Sequence, residues 1–261
     1  MSRSRLLFFF LLAWTLNASA ACTPVRFGYI DQNRPPYYMG DGPNIPEPPG
    51  ATIDLMRDAV QATFGCHPAL VRLPPARLRL ALTIGDIDFT PLGEMPVYPP
   101  EIAIPRDKRG EPDYGRALGN QLVVLVRARD NIPAGANPLA YFQGKVLGAA
   151  QGSAYTARLR EQGLTIDDGA RDVDRNIEKL KLGRVAGVVV SAVKPEHIDA
   201  IVKRYNGEIM QLPQPLVSTR LWLAFNEKYY EAHRAQVEAL WTWIDMNRAH
   251  LGYVMQRYGK D

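Results

Sequence analysis

Two adjacent tyrosines, Tyr37 and Tyr38, are the residues whose type and position most suggest contact with a ligand. They follow a proline pair at 35–36, close to the end of a strand predicted over residues 25–30. In open α/β sheets, ligands bind beyond the carboxyl ends of the strands. Packing is the alternative role for either ring. The sequence therefore predicts that at least one of these tyrosines contacts a ligand.

The sequence shows no catalytic or metal-binding constellation. It has no G-x-S-x-G nucleophile elbow, no P-loop and no G-x-G-x-x-G turn, so hydrolase, nucleotide-binding and dinucleotide-binding functions lack their motifs. The four histidines are scattered, without the H-x-x-x-H spacing of a metal site. The acidic pair Asp167 and Asp168 stands before a glycine, which is typical of a solvated turn. We therefore expect a protein without catalytic residues, metal or cofactor.

The composition is that of an ordinary globular protein, with 46% hydrophobic and 22% charged residues. A length of 261 residues allows one large domain or two of roughly 100–150 residues. The net charge of +4 falls to +2 if a leader carrying Arg3 and Arg5 is removed. This mild positive charge gives no reason to expect binding to nucleic acid or to a charged membrane surface.

Residues 1–21 have the organisation of a secretory signal peptide. Arg3 and Arg5 form a positive start, residues 6–16 an apolar stretch, and residues 18–20 a small-residue cleavage pattern. The apolar stretch is too short to span ~30 Å of hydrocarbon, although an uncleaved anchor helix is the alternative. The sequence therefore predicts export of a soluble protein into the periplasm.

Export favours a disulfide over a metal site or a nucleophile for the two cysteines, because the compartment is oxidising. Cys22 stands just before the strand predicted at 25–30, and Cys66 stands just before another at 69–73. Neighbouring parallel strands of a βαβ unit begin at the same edge of a sheet, so the two cysteines are expected within bridging distance. A disulfide between them would stabilise the fold by roughly 3–4 kcal/mol. A lipoprotein modified at Cys22 is the alternative, but residues 19–21 lack the Leu or Val of a lipobox. We predict the Cys22–Cys66 disulfide, which would also consume the lipidation candidate.

Predicted strands alternate with predicted helices along the chain. Apolar residues line one face of segment 52–64, and a proline pair opens segment 75–84. A glycine follows each segment, as expected for helix ends. The continuous run at 122–126, rich in β-branched residues, is typical of a strand buried on both faces. This alternation predicts an α/β fold with largely parallel sheets. Further strands are predicted at 87–92, 146–150, 185–190, 208–212 and 221–225, further helices at 153–161, 173–182, 195–205, 229–246 and 251–258, and a loop at 96–116.

A short pattern occurs twice in the chain. Residues 84–88 (IGDID) and 182–186 (LGRVA) each combine the end of a helix, a glycine, one polar residue and the start of a strand. Each copy follows a strand and a helix at a similar offset. The repeat indicates two similar α/β lobes.

Six short segments, spread over nearly all of the chain after the leader, occur in a characteristic order: 34–38 (RPPYY), 50–56 (GATIDLM), 75–88 (from PAR to IGDID), 151–155 (QGSAY), 182–185 (LGRV) and 251–253 (LGY). In this order the chain resembles the bacterial extracellular solute-binding proteins of family 3, the periplasmic receptors of polar amino-acid transporters. The resemblance implies the type II periplasmic-binding fold, with a mostly parallel sheet flanked by helices in each of two lobes. Two crossing strands join the lobes, which close on a ligand about a hinge. Lobe one is expected at 22–118 plus 217–261, and lobe two at 119–216.

The resemblance also implies roles for individual residues. Tyr37 matches the aromatic residue that stacks on a ligand side chain in this family. Gly152 and Ser153, in the segment that ends with Tyr155, match the turn that opens a helix of lobe two. The free N–H groups and the dipole of such a helix suit an anionic ligand group, and Ser153 also suits an N-cap. Ser191 stands where amino-acid receptors place an aspartate for the ligand amine.

The chain departs from this family at the expected amino-acid site. The stretch 90–98 (TPLGEMPVY) lacks the arginine of the family's Thr-Pro-x-Arg motif, which grips the carboxylate, and Ser191 replaces the aspartate. A standard site for a zwitterionic amino acid is therefore not assembled. Arg77 or Arg220 is the candidate replacement for the arginine, with a surface or inter-lobe position as the alternative. Glu94 marks either a cationic ligand or a turn.

Three classes of function follow. The first is a monomeric periplasmic protein that captures a small polar solute, amino-acid-like or a small organic ion, for the permease of an ABC-type transporter. The second is a sensory or accessory protein that binds a ligand and docks on a membrane partner. The third is an enzyme similar to periplasmic cyclohexadienyl dehydratases, with Glu94 as its candidate carboxylate. We predict the first, without enzymatic activity, and with the ligand-binding residues Tyr37, Tyr38, Arg77, Glu94, Gly152, Ser153, Tyr155 and Ser191.

Overall fold

One ten-stranded mixed sheet runs through residues 24–258, the part of the chain that this computed structural model describes. Its strands are β1 Arg26–Ile30, β2 Ala69–Leu73, β3 Phe89–Gly93, β4 Ile102–Ala103, β5 Leu118–Arg127, β6 Val146–Ala150, β7 Thr165–Ala170, β8 Gly187–Ala192, β9 Ile209–Gln211 and β10 Val217–Asn226. The helices are α1 Ala51–Phe64, α2 Pro75–Ile84, α3 Pro138–Tyr141, α4 Thr156–Glu161, α5 Val173–Lys181, α6 Asp199–Lys203, α7 Glu227–Ala232, α8 Arg234–Met246 and α9 Arg248–Tyr258. The predicted signal peptide and Cys22 lie outside the described residues. Within these residues, no helix has both the length and the apolar character needed to cross a membrane.

Two long strands, β5 and β10, cross between the two halves of the sheet. The strands lie in the order β2-β1-β3-β10-β5-β8-β6-β7, with β4 beside β10 and β9 beside β5. The first five residues of the two long strands pair with each other, antiparallel. Beyond that stretch, β10 pairs with β3 and β5 pairs with β8. The crossing strands therefore connect lobe one (β1–β4, α1, α2, α7–α9) with lobe two (β6–β9, α3–α6).

Each lobe has a parallel sheet at its centre. In lobe one, β1 runs parallel to β2 and to β3, and in lobe two, β6 runs parallel to β7 and to β8. Helices flank both sheets. The predicted α/β fold with two lobes and two crossing strands is thereby confirmed.

Apolar side chains fill both faces of the sheet. In lobe one the rings of Phe27, Phe89 and Phe225 stack across neighbouring strands, with centroids 4.7 and 5.0 Å apart. In lobe two the even-numbered residues of 122–126 enter one apolar cluster and the odd-numbered residues enter another. Burial on both faces is what the continuous apolar run at 122–126 predicts.

An ion pair between Arg26 and Asp88 holds the start of β1 against the turn that precedes β3. Asp88 is 4% exposed. Its carboxylate accepts hydrogen bonds from the Arg26 backbone N–H at 2.7 Å and from Nε and Nη2 at 3.1 and 2.5 Å. The guanidinium also donates to the carbonyls of Gly85 and Asp86, and the hydrogen bond to Asp88 raises the pKa of Arg26. Gly85 itself ends α2 in the left-handed conformation, with φ of 81°, as its position in the sequence predicts.

The single long helix predicted at 229–246 is wrong, because the helix is interrupted at His233. This residue separates α7 from α8 and has a non-helical backbone, with φ of −128° and ψ of 29°. α7 packs against β10 and β4, whereas α8 packs against α1. The two helices pack against different elements, and apolar spacing within the segment does not show where the first helix ends and the second begins.

Asp167 and Asp168 lie in the edge strand β7, so the solvated turn predicted there is wrong. Both carboxylate oxygens of Asp167 accept hydrogen bonds from Lys179 Nζ at 2.8 Å, which lowers the pKa of Asp167. Asp168 pairs with Arg160 at 3.0 Å. An edge strand carries charged side chains because one side of it faces solvent, and its sequence therefore lacks the apolar run of a central strand.

Several element boundaries also differ from the predicted ones. α4 begins at Thr156 rather than at 153, and β8 lies at 187–192 rather than at 185–190. The segment predicted as a helix at 195–205 divides into a 3₁₀ turn and α6, and the predicted loop at 96–116 contains β4. α3 is missing from the predicted helices. It consists of one turn capped by Asn137, which is too short to show an apolar period.

Replacing Asp88 by alanine (Asp88→Ala) should lower the free energy of unfolding by about 2–3 kcal/mol, because the change removes hydrogen bonds to a charged group. Asp86→Ala is the matched control. Its side chain is exposed, and only its backbone carbonyl binds Arg26. The control should therefore stay within about 0.5 kcal/mol of the parent chain. Urea denaturation measures both variants, and equal losses would show that the ion pair does not hold this turn.

Candidate functional site

Residues that follow strand ends of the two lobes contact one another beside the crossing strands. Gln32, after β1, donates from Nε2 to the carbonyl of Gln151, after β6, at 3.2 Å. Asp31 lies 3.8 Å from Nη2 of Arg171, which follows β7. We call this region the inter-lobe cleft, and it comprises residues 31–38 and 94 of lobe one with 151–158 and 191–197 of lobe two. The carboxyl ends of strands are where open α/β sheets bind ligands.

Tyr37 lies in the inter-lobe cleft with its hydroxyl group against lobe two. The side chain is 5% exposed. Its hydroxyl oxygen accepts a hydrogen bond from the backbone N–H of Val193 at 2.8 Å and lies 2.6 Å from Nδ1 of His197. The guanidinium carbon of Arg34 lies 5.8 Å from the centre of the ring, a cation–π distance. Burial raises the pKa of Tyr37 to about 12, so the hydroxyl group keeps its proton at neutral pH.

The hydrogen bond between Tyr37 and His197 fits a neutral histidine. The hydroxyl oxygen accepts from the N–H of Val193 and can give its own proton to Nδ1 of His197, 2.6 Å away. In that arrangement Nδ1 accepts, and the neutral imidazole carries its proton on Nε2. Burial and the nearby Lys194 lower the pKa of His197, and Glu196 acts in the opposite direction. The neutral histidine therefore joins lobe two to lobe one.

Tyr38 packs inside lobe one, although it is the direct neighbour of Tyr37. Its ring stacks on that of Tyr29, with centroids 5.7 Å apart, and it is 8% exposed. Burial raises the pKa of Tyr38, while Arg34 and Thr52 oppose the increase. This position fits the packing alternative for Tyr38 and leaves Tyr37 as the tyrosine that reaches the other lobe.

Ser191, at the end of β8, contacts both lobe one and a crossing strand. Its carbonyl accepts a hydrogen bond from Nη2 of Arg34 at 2.5 Å. Its hydroxyl group donates to Oδ1 of Asn120 at 2.6 Å. Asn120 lies on β5 opposite Thr219 of β10. The serine at the position expected for an aspartate is therefore hydrogen-bonded to the hinge.

Ser153 and Tyr155 belong to the turn that precedes α4. The carbonyl of Ser153 accepts hydrogen bonds from the N–H and Oγ1 of Thr156, the first residue of this six-residue helix. The predicted helix opening at Ser153 is therefore three residues too early. Tyr155 donates from its hydroxyl group to the carbonyl of Val189 at 3.1 Å, and burial raises the pKa of Tyr155.

Gly152 lies in close contact with the first turn of α2. Its φ is 76°, a left-handed conformation, and a Cβ added there would lie 3.2 Å from the backbone nitrogen of Ala76 and 3.2 Å from Cβ of Pro75. Glycine suits both the backbone conformation and the distance. The two lobes approach each other at this point because Gly152 carries no side chain.

Glu94 lies in the inter-lobe cleft and has a partner from each lobe. Its carboxylate is 3.6 Å from Nη1 of Arg158 in lobe two and accepts a hydrogen bond from the hydroxyl group of Tyr114 at 3.4 Å. Arg77, in the first turn of α2, is exposed. Arg220 is also exposed, with its guanidinium 5.1 Å from the centre of the Tyr114 ring. Both arginines therefore have the surface position that is the alternative to replacing the family's arginine.

Three residues are missing from the site predicted by sequence: Arg34 and His197 of the cleft, and Asn120 of the crossing strand β5. The sequence contains an indication for Arg34, because this residue begins the RPPYY segment that contains Tyr37. Asn120 and His197 have none, since their hydrogen-bond partners lie 71 and 160 residues away in the chain. Across residues 24–258, no group of three or more His, Cys, Asp or Glu side chains is placed to hold a metal ion.

No protein-family model matches the chain, and no curated protein sequence matches it. Solved structures are similar to it in fold. The arginine-bound form of a truncated ArgBP from T. maritima gives a TM-score of 0.62 at 16% identity, covering 83% of this chain and 94% of that one. The GluR0 ligand-binding core from Nostoc punctiforme, in complex with L-glutamate, gives 0.66 at 14% identity and covers 90% and 99%. The substrate-binding protein of an amino acid ABC transporter gives 0.63 at 14% identity and covers 92% and 100%.

The free energy of unfolding should fall as the pH drops below 6.5, the ordinary pKa of histidine, because the unfolded chain then binds a proton at position 197 that the folded protein does not. The contribution of His197 is present in full above that pH. It is lost as the pH falls through the lowered pKa of the folded state. The ring is partly exposed, so we expect a loss below about 1 kcal/mol between about pH 7.5 and about pH 5.5.

Urea denaturation of two variants at both pH values separates this effect from other titrations. His197→Gln should reduce the difference in unfolding free energy between the two pH values. His67→Gln changes an exposed histidine and should leave the difference as it is in the parent chain. If His197→Gln shows the same pH dependence as the parent chain, the neutral Tyr37–His197 hydrogen bond does not contribute to stability.

Proposed function

The chain has the two-lobe fold of the type II periplasmic binding proteins, and on that basis we propose that it captures a small polar solute in the inter-lobe cleft. The observation that carries the proposal is the convergence of Arg34, Tyr37, Ser191 and His197 from both lobes beside the crossing strands. Closure about such strands buries a ligand between the lobes. The similar structures, which include one with bound arginine, one with bound L-glutamate and the substrate-binding protein of an amino acid ABC transporter, support a solute as the ligand.

In this proposal the protein delivers its solute to the permease of an ABC-type transporter. The mature chain begins after residue 21, is monomeric, and works in the periplasm. Lobe one comprises 22–118 plus 217–261, and lobe two comprises 119–216. The separate apolar clusters of the two halves support these bounds. A disulfide joins Cys22 to Cys66, and the lack of a free cysteine among residues 24–258 supports it.

Binding rather than catalysis is the activity that the cleft favours. A dehydratase-like reaction needs a cleft carboxylate that is available to the substrate. The carboxylate of Glu94 instead pairs with Arg158 and accepts a hydrogen bond from Tyr114. A sensory or accessory protein would use the same cleft and would differ in its membrane partner, so ligand binding is the property to test first.

Thermal unfolding of the mature protein against the standard amino acids, putrescine, spermidine, acetate, succinate and glucose tests the proposal. A ligand at 100 times its Kd stabilises by about 2.7 kcal/mol, which raises the Tm by about 5–10 °C for a protein of this size. Mass spectrometry of the exported sample establishes that it is free of ligand, that residues 1–21 are absent, and that two hydrogens are missing at the disulfide. A shift from one chemical class supports solute binding, and an unchanged Tm throughout contradicts it.

The substitution Gly152→Ala should weaken binding of whichever compound raises the Tm by roughly three- to tenfold, about 0.7–1.4 kcal/mol. The new Cβ would contact the backbone of Ala76 and keep the lobes apart. Gly207→Ala is the matched control, since Gly207 has a similar φ of 82° but nothing within 4 Å of the added Cβ. Calorimetric titration gives both affinities. Binding by Gly152→Ala at parental affinity would show that close approach at this turn is not needed.

A further inference from the structure

Arg34 is a cleft cation without a carboxylate partner. Its Nη2 donates to the carbonyl of Ser191 at 2.5 Å, and its guanidinium carbon lies 5.8 Å from the centre of the Tyr37 ring. Within residues 24–258, no Asp or Glu side chain forms an ion pair with it. Both contacts of the guanidinium are therefore with neutral groups. A charge that is partly withdrawn from water is unfavourable unless an opposite charge pairs with it.

Two of the three acidic residues of the cleft have arginine partners. Asp31 lies 3.8 Å from Arg171, and Glu94 lies 3.6 Å from Arg158. Each of these ion pairs joins one lobe to the other and leaves no net charge. The third acidic residue, Glu196, is exposed, as is the nearby Lys194, and these two opposite charges also cancel in the sum. The charge of the cleft that remains is the positive charge of Arg34.

Three neutral tyrosines interact with this charge without balancing it. Burial raises the pKa of Tyr37, Tyr38 and Tyr155, and in each case the nearby Arg34 opposes the increase. The three phenols stay neutral at neutral pH, and the hydroxyl groups of Tyr37 and Tyr155 already have hydrogen-bond partners. They therefore leave the charge of Arg34 to be balanced by a ligand.

The position where amino-acid receptors place an aspartate offers no counter-charge for an ammonium group. Ser191 is neutral, its hydroxyl proton is donated to Asn120, and its carbonyl accepts from Arg34. An ammonium placed beside Ser191 would lie near the guanidinium, a like charge, and Ser191 has no carboxylate to offset the repulsion. An α-amino acid is therefore disfavoured relative to the acid that lacks the amino group.

Building on the proposed function, we infer that the cleft takes a small carboxylic acid without an ammonium group and that Arg34 binds its carboxylate. A guanidinium presents its N–H groups in a planar fork that matches the two oxygens of a carboxylate. The Ser191 carbonyl holds one Nη2–H, and the other N–H groups of Arg34 remain for the ligand. Arg34 thus takes the role for which Arg77 and Arg220 are the sequence candidates, from a different segment of lobe one.

Calorimetric titration of the mature protein with three matched pairs tests this inference. The pairs are propionate with L-alanine, succinate with L-aspartate, and 3-phenylpropionate with L-phenylalanine. The members of each pair differ by one ammonium group. We expect at least one acid to bind at least tenfold more tightly than its amino-acid counterpart.

Variants of Arg34 then identify the group that binds the carboxylate. Arg34→Gln should weaken binding of the preferred acid by roughly tenfold or more, because it removes hydrogen bonds to a charged group. Arg34→Lys keeps the positive charge but loses the planar fork of N–H groups, so its affinity for the acid should lie between those of the parent chain and Arg34→Gln. Arg79→Gln makes the same charge change at an exposed position of α2 and should leave the affinity unchanged. Thermal unfolding without ligand shows whether each variant is folded.

Each outcome separates this inference from the proposed function. An amino acid that binds as tightly as its acid counterpart overturns the inference but leaves solute binding intact. An acid whose affinity does not change in folded Arg34→Gln and Arg34→Lys overturns the role of Arg34. Failure of all three acids to bind overturns the inference, and the wider panel with polyamines and glucose then decides separately whether the protein binds a solute.

Discussion

The antiparallel pairing of β5 with β10 is the constraint on which the rest of the structure depends. Five residues of each strand form this ladder, and each strand then continues into a different lobe. The ladder therefore sets where the strand ends of lobe one meet those of lobe two. Asn120, within the ladder, also accepts the hydroxyl hydrogen bond of Ser191, so the hinge and the cleft share a residue. Because the connection between the lobes is narrow, a small change in these strands can change the width of the cleft.

The contacts that close the cleft are few and individually modest. Two ion pairs involve largely exposed arginines, Arg158 and Arg171, and such pairs contribute little in water. Tyr37, which is 5% exposed, makes the most buried side-chain contact across the cleft, with His197. The same hydroxyl group also accepts a hydrogen bond from the backbone of Val193. A balance of this kind can be shifted by a ligand that binds the closed arrangement more tightly than the open one. The physical requirements of solute capture, a hinge and weak direct closure, are both present.

The cleft differs chemically from the amino-acid site that the sequence resemblance implies. That site needs an arginine for the carboxylate and an aspartate for the ammonium. This chain has no arginine in 90–98 and has Ser191 at the aspartate position. Both losses concern the recognition of a zwitterion, while the fold and the aromatic position of Tyr37 are kept. In the proposed assignment Arg34 takes over the role of the arginine, and the neutral Ser191 leaves the aspartate without a replacement at its position. That assignment corresponds to a ligand that carries a carboxylate without an ammonium group.

The sequence by itself determined the features that depend on neighbouring residues. The continuous apolar run at 122–126 predicted a strand buried on both faces, and Gly65 and Gly85 predicted the ends of α1 and α2, because chain period and left-handed glycines act locally. The order of short segments was sufficient for the two-lobe fold. Tertiary structure alone decided the break at His233, the edge strand that carries Asp167, and the partners of Arg34. Those features depend on contacts between distant segments, such as the hydrogen bond between Arg34 and Ser191, which lie 157 positions apart in the chain. No local sequence pattern indicates which side chains the hinge brings together.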